Sequence, residues 1–274
     1  MSTNADDFDE GIEKVSRVTG AIGQMIQIAG DNPDTRKAGQ SLARSAATVA
    51  QLVENTLLPI AAVNFGFKKA KEYFESRFSE DMSQKISNIP PDKIVEPPAS
   101  VVAPALQGLG FSNEEPSLKE MYLNLLASAM DGRTPDKAHP AFSEIIRQLN
   151  ATEAGFLKLY LPYGMSPIAK LSRKIDNNGA KLRYVHCIMV YDKHSGSAVL
   201  IPQFPQYIDN WIRLGLIDVD YGTWLTADHA YDWVKSRPEY ISLLNEVGDE
   251  NMIQITKGLL RTTDFGKAFV SAVF

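Results

Sequence analysis

The sequence predicts a mainly α-helical protein with a smaller α+β part, and three observations lead there. Apolar residues recur at helical spacing through most of the first 160 residues. Pro90, Pro91, Pro97, Pro98 and Pro104 then fall within fifteen residues, a density that favours extended backbone. Beyond residue 163, runs such as "LRYVHCIMVY" are rich in β-branched and aromatic residues and suit strands. The expected organisation is an N-terminal helical bundle over 1–88, a Pro-rich linker over 89–104, a central helical hairpin region over 105–163, and a winged-helix-like α+β module over 164–274.

The bundle rests on periodicity. Phe8, Ile12, Val15, Ile22, Met25, Ile26 and Ala29 lie near a 3.6-residue repeat, and Leu42, Ala46, Val49, Val53 and Leu57 form a second one. Pro59 ends or kinks that second helix, and Ile60, Val63, Phe67, Phe74 and Phe78 suggest a third. Between Ser45 and Phe67 the only formal charge is Glu54, and Lys68, Lys69 and Lys71 follow. That resembles a membrane segment and its basic flank. The uncharged run from Asn55 to Phe67 is nevertheless thirteen residues, whereas a spanning helix needs about 20. Buried bundle core is the preferred reading.

In the central region, Ser117 with Glu120 reads as a capping box ahead of Leu118, Met121, Tyr122, Leu125 and Ala129. Asp131 and Gly132 close this helix, with glycine expected in the left-handed terminal position. His139-Pro140 starts the next helix, whose apolar face is Phe142, Ile145, Ile146 and Leu149. "TEAGFLKLYLP" restarts a short helix that stops at Pro162.

For the C-terminal part, "LRYVHCIMVY" and "SAVLIP" joined by "DKHSG" read as a β-hairpin. "PQYIDNWIRLGLIDVD" reads as a helix ended by Gly215. Lys257-Gly258 reads as a tight turn between two short strands, and Thr263 as the cap of a last helix. Helix, further helices, hairpin and short helix in that order suggest a winged helix with Lys257 and Arg261 as its basic wing.

Composition narrows the function classes. With 274 residues, 44% of them hydrophobic and 22% charged, the chain suits one large or two modest globular domains. A net charge of -5 gives no overall attraction to nucleic acid or anionic lipid. The lone Cys187 sits in an apolar run and reads as a small buried hydrophobe. An acidic start without a cationic, apolar leader points to the cytoplasm.

Few residues carry a chemical pattern. The histidines, His139, His186, His194 and His229, form no HxH or HExxH spacing, and P-loop, GxGxxG and GxSxG motifs are missing from the sequence. No metal or cofactor is expected. Asp131 and His139 could pair as carboxylate and imidazole, but helix punctuation explains both without chemistry. From Pro205 to Met252 there are nine acidic and three basic residues, which disfavours a phosphate partner for the wing. The stretch Lys170–Arg183 is a better basic region for such a partner, and solvated loop charge explains it as readily.

Read together, "EPPASVVAPAL", "LKEMYLNLLASAMD", "AHPAF" and "IIRQLNATEA" resemble the bacterial abortive infection alpha family. Pro97, Pro98, Pro104, Leu118, Tyr122, Leu125, Leu126, Asp131, His139, Pro140 and Phe142 sit where that family's pattern would place them. The resemblance implies a cytoplasmic anti-phage defence protein and carries over no catalytic residue. A phage or host protein met through the helical surface is the expected partner, the C-terminal module is expected to be architectural or protein-binding, and self-association is left open. The alternatives are a membrane-active effector using 45–67 and a nucleic-acid-binding winged-helix protein.

Overall fold

The apolar stripe that starts at Leu118 becomes the centre of the N-terminal part. In the computed structural model, the described residues are 69–274 apart from 71, 75, 176–178 and 193, together with Pro33 and Lys37. The helices expected over 8–67, including the 45–67 segment, lie outside them. No helix among the described residues is long and apolar enough to cross a membrane. The chain divides into two compact units, Met1–Phe156 with Phe269–Phe274, and Leu157–Ala268.

The first unit contains α1 (Phe78–Ile86), α2 (Ala99–Ser112), α3 (Pro116–Met130) and α4 (Ala141–Arg147). It also holds the start of α5 (Ala151–Tyr160) and the end of α8 (Asp264–Val273). Leu106, Leu109, Met121, Tyr122, Leu125, Leu126 and Ile146 are wholly buried or nearly so. Helix α3 is ringed by apolar contacts because α1, α2 and α4 all pack on it. Tyr122 lies against Gly108 of α2, where an added Cβ would fall 2.2 Å from the phenol oxygen. The Asn124 amide and the Ser128 hydroxyl donate to the carbonyls of Val273 and Ala272, both at 2.9 Å. Two carbonyls at the end of α8 that the helix itself leaves open are thereby satisfied.

Several local expectations need correction here. The segment 89–104 is no extended linker: a 3-10 turn spans Pro91–Lys93 and α2 begins at Ala99. Pro104 is inside α2, where its missing N–H affects only the carbonyl of exposed Ser100. Burial of Val101, Val102 and Ala105 outweighs that loss. Helix α3 starts at Pro116 without a side-chain cap, so Ser117 is not a capping residue. The capping box belongs to α5 instead, with Glu153 N–H donating to Asn150 Oδ1 at 2.8 Å and Asn150 N–H reaching Glu153 Oε2 at 3.4 Å. Gly132 does not take a left-handed backbone; a Cβ there would meet Val95 at 2.7 Å and the Lys93 carbonyl at 2.9 Å. Its smallness lets the 93–95 segment close on the end of α3, with Ile94 and Asp131 forming a β-bridge.

The second unit is a four-stranded antiparallel sheet in the order β2-β1-β4-β3. The strands are β1 (Met165–Lys174), β2 (Ala180–Ile188), β3 (Ile217–Asp220) and β4 (Ile253–Thr262). Strand alternation divides the sheet into two faces. Ala169, Leu171, Cys187 and Ile253 share one core with Tyr231, Trp233, Val234, Tyr240 and Leu243, under the turn Asp232–Ser236 and α7 (Pro238–Val247). On the other side α6 (Phe204–Arg213) packs against β2 and β3, burying Ile208 and Trp211. Arg237 is buried at the start of α7, forked onto Glu239 at 3.0 and 2.8 Å and donating to the Val190 carbonyl at 2.9 Å.

Three strand assignments differ from the sequence reading. "LRYVHCIMVY" pairs with Met165–Lys174 and not with "SAVLIP", which contributes only the bridge Tyr191↔Ala198. The basic stretch Lys170–Arg183 is therefore the heart of a hairpin. Lys257-Gly258 is no turn: β4 runs unbroken for 10 residues and pairs with β1 along nine of them. The hairpin that a wing requires is thus replaced by one central strand. Thr263 does cap the last helix, its hydroxyl accepting from Gly266 N–H at 2.8 Å.

The contact between Tyr122 and Gly108 makes a testable pair. Gly108→Ala should destabilise the chain by about 1–3 kcal/mol through overpacking, and the penalty should shrink once Tyr122→Leu removes the ring. A double-mutant cycle by denaturant unfolding measures the coupling; additive effects would show that the ring does not depend on that glycine.

Candidate functional site

Most of the family-pattern residues lie in the interior of the first unit or at its helix ends. Tyr122 and Leu125 are fully buried, Phe142 is nearly so and meets Phe269 edge-on at 5.3 Å, and Pro97 is buried ahead of α2. Pro98 is the N-cap of α2, and Pro140 that of α4. Asp131 accepts from Arg133 Nε at 2.8 Å and Nη2 at 2.6 Å, and Arg133 holds its carboxyl below the usual carboxylate range. His139 Nδ1 accepts from the Ala141 N–H at 3.1 Å. Asp131 and His139 are thus each bonded to a neighbour two residues along the chain.

The proposed basic wing is also dispersed. Lys257 and Arg261 lie four residues apart on one face of β4, but Arg261 pairs with Asp218 of β3 at 2.6 Å. Lys257 Nζ sits 5.2 Å from the centre of the Tyr231 ring. In the β1–β2 hairpin, Arg183 and Arg173 both approach Glu246 of α7, at 2.5 and 3.8 Å. Burial pushes the Cys187 thiol up to about 12, so it stays protonated and behaves as the small hydrophobe its sequence context suggests.

A constellation that spacing alone did not mark lies on the α6 side of the sheet. Between Ala169↔Cys187 and Leu171↔Tyr184, β1 advances two residues and β2 three, which is a β-bulge. His186 occupies it with φ of 54°, a conformation uncommon outside glycine. The bulge aims its ring so that Nε2 is 3.2 Å from Asp209 of α6 and Nδ1 is 3.0 Å from the Tyr221 hydroxyl. Because a carboxylate only accepts, the proton belongs on Nε2, and Tyr221 donates to Nδ1. The same hydroxyl accepts from the His186 backbone N–H at 3.3 Å.

Tyr221 reaches this point by continuing the α6-facing alternation of Ile217 and Val219 across the sheet. Its ring passes over Gly258 of β4, where a Cβ would lie only 2.6 Å away, and Lys170 of β1 sits 4.3 Å above it. Gly258 is thus a place for a ring to cross, not a turn. The His186 side chain is 10% exposed, and burial draws its pKa below the ordinary histidine value; Asp209 opposes that shift and Lys170 adds to it. Burial pushes Tyr221 up to about 12. Both groups are neutral at neutral pH, so the O–H···N bond stands. The arrangement can hold a proton at a fixed nitrogen and respond to acidification.

Further along the chain, residues 224–232 and the edge of β4 line a hollow of 410 Å³ that includes Trp224, His229, Tyr231, Lys235, Ile255 and Lys257. His229 there has φ of 65° and bonds Asp232 at 2.6 Å, while Lys235 is taken by Glu250 at 2.6 Å. Among the described residues no group of three or more His, Cys, Asp or Glu is placed to hold a metal ion.

With this geometry in hand, the sequence model described as "Abortive infection alpha" matches residues 70–273. The chain belongs to the abortive infection alpha family. Membership suggests a part in abortive infection defence. The match covers both the helical scaffold and the sheet of this abortive infection alpha protein, including His186, Asp209 and Tyr221. No curated relative and no solved structure matches the chain.

Sequence reasoning missed the His186 group because its members come from β2, α6 and the end of β3, with no common spacing. The one local hint was "DVDYG", where Asp220 accepts from Gly222 N–H at 2.7 Å and ends β3 just as Tyr221 departs. In a histidine-resolved NMR titration, His186 should titrate below the ordinary value of about 6.5. Asp209→Asn should move it lower still, and Lys170→Met higher. The stability contributed by neutral His186 is complete above that ordinary value and is lost as pH falls towards its depressed folded one, because the unfolded chain then binds a proton that the fold refuses. His186→Asn should flatten this limb in pH-dependent unfolding; an unchanged limb would remove the histidine as its source.

Proposed function

We propose that this protein is a bacterial anti-phage defence protein that acts in the cytoplasm by recognising a phage or host protein. The observation that carries the reading is family membership over residues 70–273. The positions that fit the family pattern support a packing role: Tyr122, Leu125 and Phe142 are interior, and Asp131 and His139 are engaged in the turn. Recognition on this reading belongs to exposed parts of the α+β unit, which we read as a protein-binding module and not a reader of nucleic acid. Arg173, Arg183 and Arg261 support that choice, since each faces a carboxylate and so has less to offer phosphate.

The test is plating efficiency of a phage panel on a sensitive bacterial host with and without expression of the chain. Expression should lower plaque counts, and Asp131→Asn should retain protection because its role is a local bond to Arg133. Tyr122→Ala should lose protection together with stability, by about 3–5 kcal/mol for an emptied aromatic site. Loss of protection in a fully folded Asp131→Asn variant would point to chemistry at the turn instead.

A further inference from the structure

The edge of β4 next to the 410 Å³ hollow is an incomplete β-ladder, and its backbone and charges define what would complete it. In an antiparallel strand, each residue points both its N–H and its C=O to the same neighbour, and successive residues alternate. Thr262 N–H bonds to Gly164 at the β1 side, while Thr263 N–H bonds to Leu216 at the β3 side. Odd-numbered residues of β4 therefore face β3, and the β1 register runs without a shift from Met165↔Arg261 to Arg173↔Ile253. Arg261 and Leu259 face Asp218 and Asp220. Strand β3 then stops, because the Asp220 carboxylate binds Gly222 N–H and the Thr223 hydroxyl and turns the chain away. Ile255 and Lys257 are left pointing their backbone groups into the hollow, with no backbone partner among the described residues on that side.

The side chains repeat the pattern. On one face of β4 the cation Arg261 is met by Asp218 of the neighbouring strand at 2.6 Å. Four residues earlier on the same face, Lys257 sits over the Tyr231 ring and meets no carboxylate among the described residues. The other charges of the hollow are largely spoken for, since Asp232 holds His229 and Lys235 holds Glu250. Asp228 on the loop wall disfavours an acid there and so confines one to the Lys257 side. Trp224 is 50% exposed at the rim, which offers an aromatic surface to an apolar neighbour.

We propose that the hollow is a strand-addition site: an extended segment of a partner protein enters antiparallel to β4, exchanges backbone hydrogen bonds with Ile255 and Lys257, and sets an Asp or Glu opposite Lys257. This continues β3 by four residues of β4 and is the β-augmentation mode of peptide recognition. It rests on the protein-recognition reading above and specifies where and in what conformation the partner binds.

The probe is an acetylated, amidated peptide copying residues 218–222, DVDYG, which starts opposite Lys257 and so stays clear of Leu259, already paired with Asp220. Shifted by four residues, its first Asp stands opposite Lys257 as Asp218 stands opposite Arg261. Titrated into the full isotope-labelled chain, it should perturb the Ile255 and Lys257 amides and the Trp224 indole, with saturating shifts. N-methylation at its two Asp residues, whose N–H groups would face β4, should weaken binding roughly tenfold by removing two backbone hydrogen bonds. Changing the first Asp to Asn, or Lys257→Gln in the protein, should each weaken it about threefold, the range of an exposed ion pair. No response of those amides at roughly 1 mM peptide, or binding indifferent to N-methylation, would overturn the proposal. So would a dimer in sedimentation that Lys257→Gln dissolves, because the occupant would then be a second copy. Plaque protection is scored separately: its failure with peptide binding intact would sink the defence reading and leave this site standing.

Discussion

Pairing of β1 with β4 is the interaction on which the α+β unit depends. The partners run from Met165↔Arg261 to Arg173↔Ile253, so nine residue pairs join stretches some 80 to 96 positions apart. Everything else in the unit hangs from that ladder. β2 is held on the outer edge of β1, β3 on the outer edge of β4, and the two apolar faces that α6 and α7 cover exist only once both central strands are in place. A ladder of such long sequence separation closes a large loop before any bond rewards it, which makes it the slow step expected of the unit.

The same ladder explains why the sheet can carry an unusual side-chain path. Gly258 sits in its middle, directly opposite Ile168, and leaves a gap through which an aromatic ring can cross. Tyr221 takes the gap and ties the end of β3 to the bulge on β2, two strands beyond its neighbour. The positive φ at His186 stores strain that this bond and the Asp209 contact help to hold. Removing the hydroxyl or filling the glycine acts on the same strut from opposite ends.

How much of this was legible depended on how local the cause was. The helix through Leu118, Tyr122 and Leu125, the cap at Thr263 and the buried Cys187 each follow from a few neighbouring residues, and each is found. The prolines misled because burial of Val101 and Val102 overrides the backbone preference of Pro97, Pro98 and Pro104 for extended chain. Local sequence suggests a left-handed helix end at Gly132 and a tight turn at Gly258, yet both are small because something distant comes close: Val95 in one case, Tyr221 in the other. Local sequence points to a downstream hairpin partner for "LRYVHCIMVY", while the strand it pairs with lies upstream in a charged stretch whose Arg173 faces Glu246. Long-range pairing leaves no mark on spacing, and the His186 group depends on nothing else.

The position of β4 in the chain also bears on synthesis. Strands β1 and β2 emerge from the ribosome well before residues 253–262, and until then β1 has an open edge and the apolar face shared by Ala169, Leu171 and Cys187 has no Ile253 to close on. The helical unit waits as well, since the carbonyls that Asn124 and Ser128 bind belong to residues 272 and 273. Nascent chains therefore display neither finished unit, and any surface that needs one is withheld until translation has passed the last helix. A ribosome stalled short of that point would leave exposed strand edges for chaperones to cover.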